Sequence, residues 1–290
     1  MQEPTVIATI PHWHFSMLAD RERNYAIEAS IAASKPSGKV VLEIGTGVGL
    51  PAMLFAKYGA TKVYTCEMDP ALADIARKCI RENGFEDQIT VISKASHRAI
   101  YDGDIPNIID IIFTETLDCG VVGEGYVSVA EDIQRLARPE TLILPSAIRQ
   151  FAYLCNDPDT FSRNCVGVQN GLNLSALNRY SEGKYIPTNQ LLHSPVTLSP
   201  IFATRIYDYI TSSVLDDLFL EVIASSTGLC HGMISYSDAY FGNFVVTSQS
   251  KLSHWAQAFH PLTEPLEVKA GSYYALKMSI DGRITLGLIS

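Results

Sequence analysis

The stretch VLEIGTGVGL, residues 41–50, places a glycine at three alternate positions between an apolar segment and a helix-like segment. These glycines are Gly45, Gly47 and Gly49. Glycine permits the tight turn that joins a buried strand to a helix, and it lets a ligand approach the backbone at the helix N-terminus. The pattern predicts a strand–turn–helix unit with a nucleotide-type site, against the simpler reading of a tight turn alone.

Two acids accompany this turn. Glu67 ends the next apolar segment, about 20 residues on, where a carboxylate can reach ribose hydroxyls. Glu43 lies inside the first segment, where a buried acid is costly unless it has a partner. A dinucleotide fingerprint would place a glycine where Leu50 stands. The glycine spacing with Glu43 favours S-adenosylmethionine over a nicotinamide dinucleotide, and both remain open at this point.

The periodicity of the chain changes near Pro145. Before it, strand-like and helix-like segments alternate, beginning with an amphipathic helix over residues 13–34, which predicts a doubly wound parallel sheet. After it, β-rich segments separated by Gly, Ser, Pro and Asp predict a sandwich or barrel. We therefore expect an α/β domain at 1–145 and a β domain at 146–290, the latter with a polar, weakly helical insertion at about 165–187.

Composition excludes several classes of protein. The 290 residues are 47% apolar, and the formal charge of -9 argues against a nucleic-acid partner. Six cysteines without a CxxC pair indicate reduced thiols and a cytoplasmic setting. No signal peptide or apolar stretch of membrane-spanning length is apparent, so no membrane role is expected. His12 and His14 have HxH spacing but no further ligands, so no metal site is expected.

A second motif, TETLDCGVVGEG at residues 114–125, holds Glu115 and Glu124 after the apolar run IIDIIF. Its small residues would let the loop fold back so that both carboxylates converge. The block LSHWAQAF, far along the chain, contains His254 and Trp255. The bland alternative is that both acids only cap amides of their own loop and that the histidine is packed or solvated.

Four blocks together carry a family resemblance: HFSMLADRERNYAI at 14–27, VLEIGTGVGL, TETLDCGVVGEG and LSHWAQAF. With them the chain resembles the protein arginine N-methyltransferase family over roughly residues 12–290. The acidic motif is most similar to the divergent, monomethylating or symmetric-dimethylating branches. The resemblance implies a Rossmann-like methyltransferase domain, a β barrel with a helical arm, a homodimer, a cis proline at Pro145 and S-adenosylmethionine as the methyl donor.

The resemblance also implies roles for single residues. Glu115 and Glu124 would clamp a substrate guanidinium, His254 paired with Asp20 would lie beside that clamp, and Trp255 would wall the acceptor pocket. The donor would be bound by the following residues: His14, Met17, Arg23, Glu43, Gly45, Gly47, Gly49, Glu67 and His97. Two departures stand out. No counterpart of the family's N-terminal tyrosine motif is present, and the acid expected near the adenine falls at His97 or Arg98.

Three functions are compatible with these motifs. The first is methylation of an arginine in a protein or peptide, and the second is methylation of free arginine or another small guanidino metabolite in a biosynthetic pathway. A third possibility, of another class, is a scaffold that binds the donor without catalysis. Intact Glu115, Glu124 and His254 favour an enzyme.

Overall fold

Two helices precede the first sheet, α1 (Trp13–Ala19) and α2 (Arg21–Ala33). The computed structural model describes residues 10–181, 184–188, 195–211, 216–250 and 253–289. The single helix predicted over 13–34 is wrong, because Asp20 has an extended backbone with φ -73° and ψ 96°. Its side chain instead accepts from the amide of Arg23 at 2.9 Å and caps α2, as aspartate commonly does.

A five-stranded parallel sheet follows, with strand order β3-β2-β1-β4-β5. Its strands are β1 (Val40–Ile44), β2 (Lys62–Cys66), β3 (Ile89–Ile92), β4 (Ile111–Thr114) and β5 (Leu142–Leu144). Its connecting helices are α3 (Leu50–Lys57), α4 (Pro70–Glu82), α5 (Ser96–Tyr101) and α6 (Tyr126–Leu136). The predicted Rossmann-like sheet is confirmed, and its apolar strands are those of a parallel sheet covered on both faces.

The strand order reverses between β1 and β4. The chain runs outward from β1 through β2 to β3 and then returns to the other side of β1. In such sheets ligands bind at this reversal, at the carboxyl ends of the strands. The loop after β1, residues 45–49, is called the glycine loop below, and the loop of residues 114–125, which begins at the end of β4, is called the acidic loop. The topology makes these two loops neighbours.

The second half of the chain is antiparallel, as predicted. Its main sheet has the order β10-β6-β13-β15-β9, with β11 also paired to β6 and β14 to β13, and a second sheet has the order β12-β16-β17. The elements are β6 (Ala147–Asn156), α7 (Pro158–Ser162), β7 (Val168–Gln169), β8 (Leu172–Asn173), β9 (Ile186–Thr188), β10 (Val196–Thr197), β11 (Phe202–Tyr207), β12 (Leu218–Ile223), β13 (Gly228–Phe241), β14 (Phe244–Thr247), β15 (Gln257–Val268), β16 (Tyr273–Met278) and β17 (Ile284–Leu288). Side chains of both sheets, among them Leu154, Met233 and Leu276, share one apolar core.

The two halves meet at the Leu144–Pro145 peptide bond, which is cis, as the resemblance implies. We propose that the two domains divide at residue 145, because β5 ends at Leu144 and β6 begins at Ala147. The apolar core of the first half extends across this junction to Phe241 and Trp255 of the second. The halves are therefore packed against each other.

The predicted arm, about 165–187, is an exposed excursion from the main antiparallel sheet. It contains the β7–β8 hairpin and a 3₁₀ helix (Ser175–Tyr180), so its helical part is a 3₁₀ helix and not an α-helix. Two residues within the predicted span, 182 and 183, lie outside the described residues. In the described part of the chain, no helix is long and apolar enough to span a bilayer.

Candidate active site

The glycine loop folds back over the end of β2. The amides of Gly45 and Thr46 both donate to the carbonyl of Cys66 at 3.0 Å. The three glycines have φ of 90°, 52° and 90°, a region that glycine enters at little cost. At Gly45 space matters as well, because an added Cβ would lie 2.6 Å from the Thr116 methyl group. The glycine and acidic loops therefore touch.

Glu67 lies against the glycine loop, where its spacing in the sequence predicts it. One carboxylate oxygen, Oε2, accepts from the amide of Gly47 at 2.9 Å, and the other accepts from the amide of Asp69 at 2.9 Å. The carboxylate is buried, and the two backbone amides fix it beside the glycine loop. The region at the carboxyl ends of β1, β2 and β4, where the glycine and acidic loops meet, is called the crevice below.

Glu43 is completely buried within β1, and it has a hydrogen-bond partner, as expected for a buried acid. Its Oε2 accepts from the hydroxyl of Thr65 at 2.5 Å, and that hydroxyl lies 2.5 Å from the hydroxyl of Thr46. Its Oε1 has no partner among the described residues. Burial raises the pKa of Glu43 to about 8, aided by the charge of Glu67 and opposed by the Thr65 bond. The side chain is thus mainly a neutral acid at neutral pH.

Helices α1 and α2 bring further polar groups to this crevice. His14 is buried and Met17 half-buried. Burial lowers the pKa of His14, although the nearby charges of Glu67 and Asp69 oppose the shift. Arg23 is buried, and its Nη1 donates to Asn24 Oδ1 at 2.8 Å. Its Nη2 donates to Glu115 Oε2 in an ion pair that joins α2 to the acidic loop.

Asp20 and His254 form the pair implied by the resemblance. Asp20 Oδ2 lies 3.0 Å from His254 Nδ1 and accepts from the His254 amide at 2.9 Å. Burial favours the neutral acid, but the hydrogen bonds from the Arg23 amide and from His254 lower the pKa of Asp20 overall. The aspartate that breaks the first helix therefore also orients the histidine from the β domain.

The two glutamates lie at the two ends of the acidic loop, which packs against the glycine loop. Glu115 follows β4 and is largely buried against Arg23. Glu124 is exposed by surface area, yet it lies in a recess crowded by protein atoms. Lost hydration there, and then the charges of Glu115, Asp118 and Glu67, raise the pKa of Glu124 to about 7.

The backbone of the acidic loop is strained. Val121 is buried with φ 76°, a conformation that a β-branched residue adopts only at a cost of about 1–3 kcal/mol. Gly125 has φ 84° and is the N-cap residue directly before α6. Asp118 is half-buried and bonds to the amides of Gly120 and Gly123. Sequence reasoning missed Asp118, although its place inside the motif was a usable signal.

Trp255 lies under the acidic loop. It is buried and lines a small cavity together with Leu117 and Val121 of that loop and Ile148 of β6. Its amide donates to the hydroxyl of Ser253 at 3.1 Å. The indole therefore supports the loop from the β-domain side, and its predicted place in the acceptor wall stays a prediction.

The predicted adenine contact at His97 falls on an exposed side chain of α5. The preceding residue, Ser96, is buried and donates to Asp132 Oδ2 at 2.6 Å. Asp132 is a buried acid of α6 that sequence reasoning missed, because no local motif marks it. The role of His97 stays a prediction.

Comparisons with known proteins all find methyltransferases. Residues 26–148 match the family model described as ribosomal protein L11 methyltransferase (PrmA). An arginine N(omega)-methyltransferase of Streptomyces achromogenes subsp. streptozoticus is 34% identical over 274 residues, covering 93% of this chain and 76% of that protein. Protein arginine N-methyltransferase 7 of Rattus norvegicus is 32% identical over 191 residues, covering 62% of this chain but only 26% of that protein.

The fold also matches solved structures. The Trypanosoma brucei PRMT1 enzyme–prozyme heterotetrameric complex with AdoHcy superposes with a TM-score of 0.77 over 96% of this chain and 94% of that chain. The sequence identity is 22%, so this likeness concerns the fold.

Proposed function

The chain belongs to the arginine N-methyltransferase family, and we propose that its acceptor is an arginine within a protein or peptide. The methyl donor is S-adenosylmethionine. The observation that carries the proposal is the acidic loop packed against the glycine loop, where Glu115 pairs with the Arg23 guanidinium and lost hydration and the Glu115 charge raise the pKa of Glu124 to about 7. Two carboxylates at one point suit a planar cation with several N–H donors.

The crevice fits the donor chemically. Three buried polar atoms there have no partner among the described residues: His14 Nδ1, Arg23 Nε and Glu43 Oε1. The Arg23 guanidinium suits the donor carboxylate, and Glu67 suits its ribose hydroxyls. The turn formed by Gly45, Gly47 and Gly49 would let the donor approach the backbone, with His14 and Met17 beside it. When bound, S-adenosylmethionine supplies an electrophilic methyl group on its sulfonium sulfur.

The paired carboxylates address the main chemical difficulty, which is the basicity of the acceptor. A guanidinium holds its protons to a pKa above about 12, so a free nitrogen lone pair is scarce at neutral pH. Glu115 and Glu124 would each accept N–H groups and fix the plane of the cation, leaving one nitrogen directed at the methyl group. Glu115 already accepts from the guanidinium of Arg23, so its carboxylate is suited to this contact.

A proton must leave the acceptor as the new C–N bond forms. Glu124, with a pKa near 7, can take it, since a base is most useful when its pKa is close to the working pH. The Asp20–His254 pair is a second route, because Asp20 holds the imidazole by Nδ1 and leaves Nε2 free to accept. Trp255 beneath the loop would help to form the acceptor wall.

The test of this proposal is Glu124→Gln, assayed with an arginine-containing peptide. The amide keeps the shape but loses the charge and the base, so turnover should fall at least about 100-fold. Donor affinity, measured by calorimetry, should stay within about twofold. The matched control is Glu131→Gln, an exposed glutamate of α6, which should behave as the wild type. Wild-type turnover in Glu124→Gln would refute the clamp.

Free arginine is a second candidate acceptor. The relative that covers 93% of this chain is named an arginine N(omega)-methyltransferase, with no mention of a protein substrate. Mass spectrometry of products from a panel of free arginine, short peptides and Arg-rich proteins separates the two candidates. Methylation of free arginine alone would replace the proposed acceptor. Donor binding without methyl transfer to any guanidine would instead support the scaffold.

We propose a homodimer joined through the arm. Five apolar side chains are exposed on the arm, and clustered exposed apolar side chains commonly mark a contact surface: Val168, Leu172, Leu174, Leu177 and Tyr180. Light scattering should give twice the mass of one chain, and Leu172→Asp with Leu177→Asp should halve it. A wild-type monomer would refute the dimer.

The proposed cytoplasmic setting is supported by six unpaired cysteines.

A further inference from the structure

Asp118 organises the part of the acidic loop that separates the two glutamates. Its Oδ1 accepts from the amide of Gly120 at 3.2 Å and from the amide of Gly123 at 3.0 Å. Its Oδ2 accepts from the hydroxyl of Tyr185 at 2.8 Å. One carboxylate therefore joins the loop to itself and to a residue just before β9.

Tyr185 is wedged between the acidic loop and the turn after β16. An added Cβ at Gly120 would overlap its ring, and one at Gly282 would lie 2.6 Å from it. Its ring centroid lies 5.4 Å from that of the buried His260, which also approaches Gly282. Burial, and then the charge of Asp118, raise the pKa of the Tyr185 hydroxyl, so it remains a hydrogen-bond donor. Packing thus fixes the ring, and the ring fixes Asp118.

The loop needs this external support. The left-handed backbone of Val121 persists only where surrounding contacts outweigh its cost. The turn Asp118–Val121 is closed by one amide–carbonyl bond of 3.0 Å. Gly123 has no space for a side chain beside the Asp118 carboxylate. Loss of the Asp118 contacts would let the loop relax and would move Glu124, which directly follows Gly123.

We propose that Asp118 and Tyr185 are positioning residues that hold Glu124 at the separation from Glu115 that a single guanidinium spans. The inference rests on the proposed function. Tyr185 acts through Asp118, and Asp118 acts through the backbone of residues 120–123 and through its charge, which helps to raise the pKa of Glu124. Because Tyr185 lies where the arm returns to the main sheet, the geometry of the acceptor site depends on that return.

The experiment is Tyr185→Phe, which removes only the hydroxyl. With the peptide acceptor at saturating donor, kcat should fall about tenfold, since loss of one bond to a charged group displaces Glu124 from its reactive position. Donor affinity should stay within about twofold and the thermal midpoint within a few degrees. The matched control is Tyr273→Phe, a half-exposed tyrosine of β16, which should behave as the wild type.

Asp118 gives a second, graded test. Asp118→Asn keeps an oxygen for the two glycine amides and should lose about as much kcat as Tyr185→Phe, while Asp118→Ala should lose about tenfold more. Wild-type kinetics in both Tyr185→Phe and Asp118→Asn would overturn the inference while leaving the proposed function intact. Equal losses in donor affinity and in kcat would also overturn it, because they indicate general loosening. A wild-type protein that methylates no guanidine would overturn both.

Discussion

The glycine loop and the acidic loop lie side by side at the reversal of strand order, yet they keep their shapes by different means. The glycine loop is held mainly through its backbone, by positive φ angles and by amide bonds to the Cys66 carbonyl of β2 and to the adjacent Glu67 carboxylate. The acidic loop is held by distant side chains, Arg23 from α2 and Tyr185 from just before β9. A short motif can specify the first kind of loop, whereas the second depends on the folded molecule.

The largest expected effect comes from Glu115→Gln, because Glu115 belongs to the acidic loop and also pairs with Arg23. Turnover should fall about 100- to 1000-fold through loss of a carboxylate that faces the developing charge. Donor affinity should change as well, since Arg23 loses its ionic partner. Calorimetry should show altered donor affinity in Glu115→Gln but not in Glu124→Gln. Unchanged donor affinity in both variants would mean that the Arg23–Glu115 ion pair does not couple the acidic loop to donor binding.

Replacing one glycine of each loop with alanine tests separately how the acidic loop and the glycine loop keep their shapes. Gly123→Ala forces a Cβ against the Asp118 carboxylate and should lower acceptor kcat/KM about 10- to 100-fold with little change in donor affinity. Gly47→Ala meets no atom within 4 Å but keeps φ 52°, so it should cost about 1 kcal/mol and weaken donor binding several-fold. Steady-state kinetics and donor titrations measure both. The reverse pattern would contradict the comparison.

The acidic loop should give the activity a pH dependence near neutrality. The pKa of Glu124 is raised to about 7, and a cationic acceptor favours its ionised form. Acceptor kcat/KM should therefore rise about tenfold from pH 6 to pH 8, as the ionised fraction increases. Glu124→Gln should lack this acid limb in whatever activity remains. A wild-type profile that is flat across this range would contradict the raised pKa.

The smallest effect expected concerns stability under the glycine loop. The native pKa of Glu43, about 8, lies above its unfolded value, so this group stabilises the fold fully at low pH and loses that contribution as pH rises toward 8. Between pH 6 and pH 7 the free energy of unfolding should fall by about 1 kcal/mol more in the wild type than in Glu43→Gln. Urea unfolding at the two pH values measures this difference, and equal slopes would place the Glu43 pKa near its ordinary value.

The sequence predicted those features of the fold and site that depend on local patterns of apolar residues and glycines. Alternating apolar segments predicted the parallel sheet, and its topology brought Glu115, Glu67 and the glycines together. The resemblance supplied the Asp20–His254 pair, which no periodicity could reveal. The break at Asp20 was missed because the apolar spacing of α1 and α2 continues across it. Tyr185 was missed because it lies 67 positions from Asp118, and only tertiary packing brings the two together.

The Arg23–Glu115 ion pair has a consequence for ligand exchange. This pair joins a guanidinium to a carboxylate, and the same two groups would meet twice in the proposed reaction: Arg23 with the donor carboxylate, and Glu115 with the acceptor guanidinium. The donor would offer Arg23 a carboxylate in place of Glu115, and the acceptor would offer Glu115 a guanidinium in place of Arg23. Each of these two buried charges would therefore exchange one partner for a chemically equivalent one and would keep a partner of opposite charge when both ligands enter.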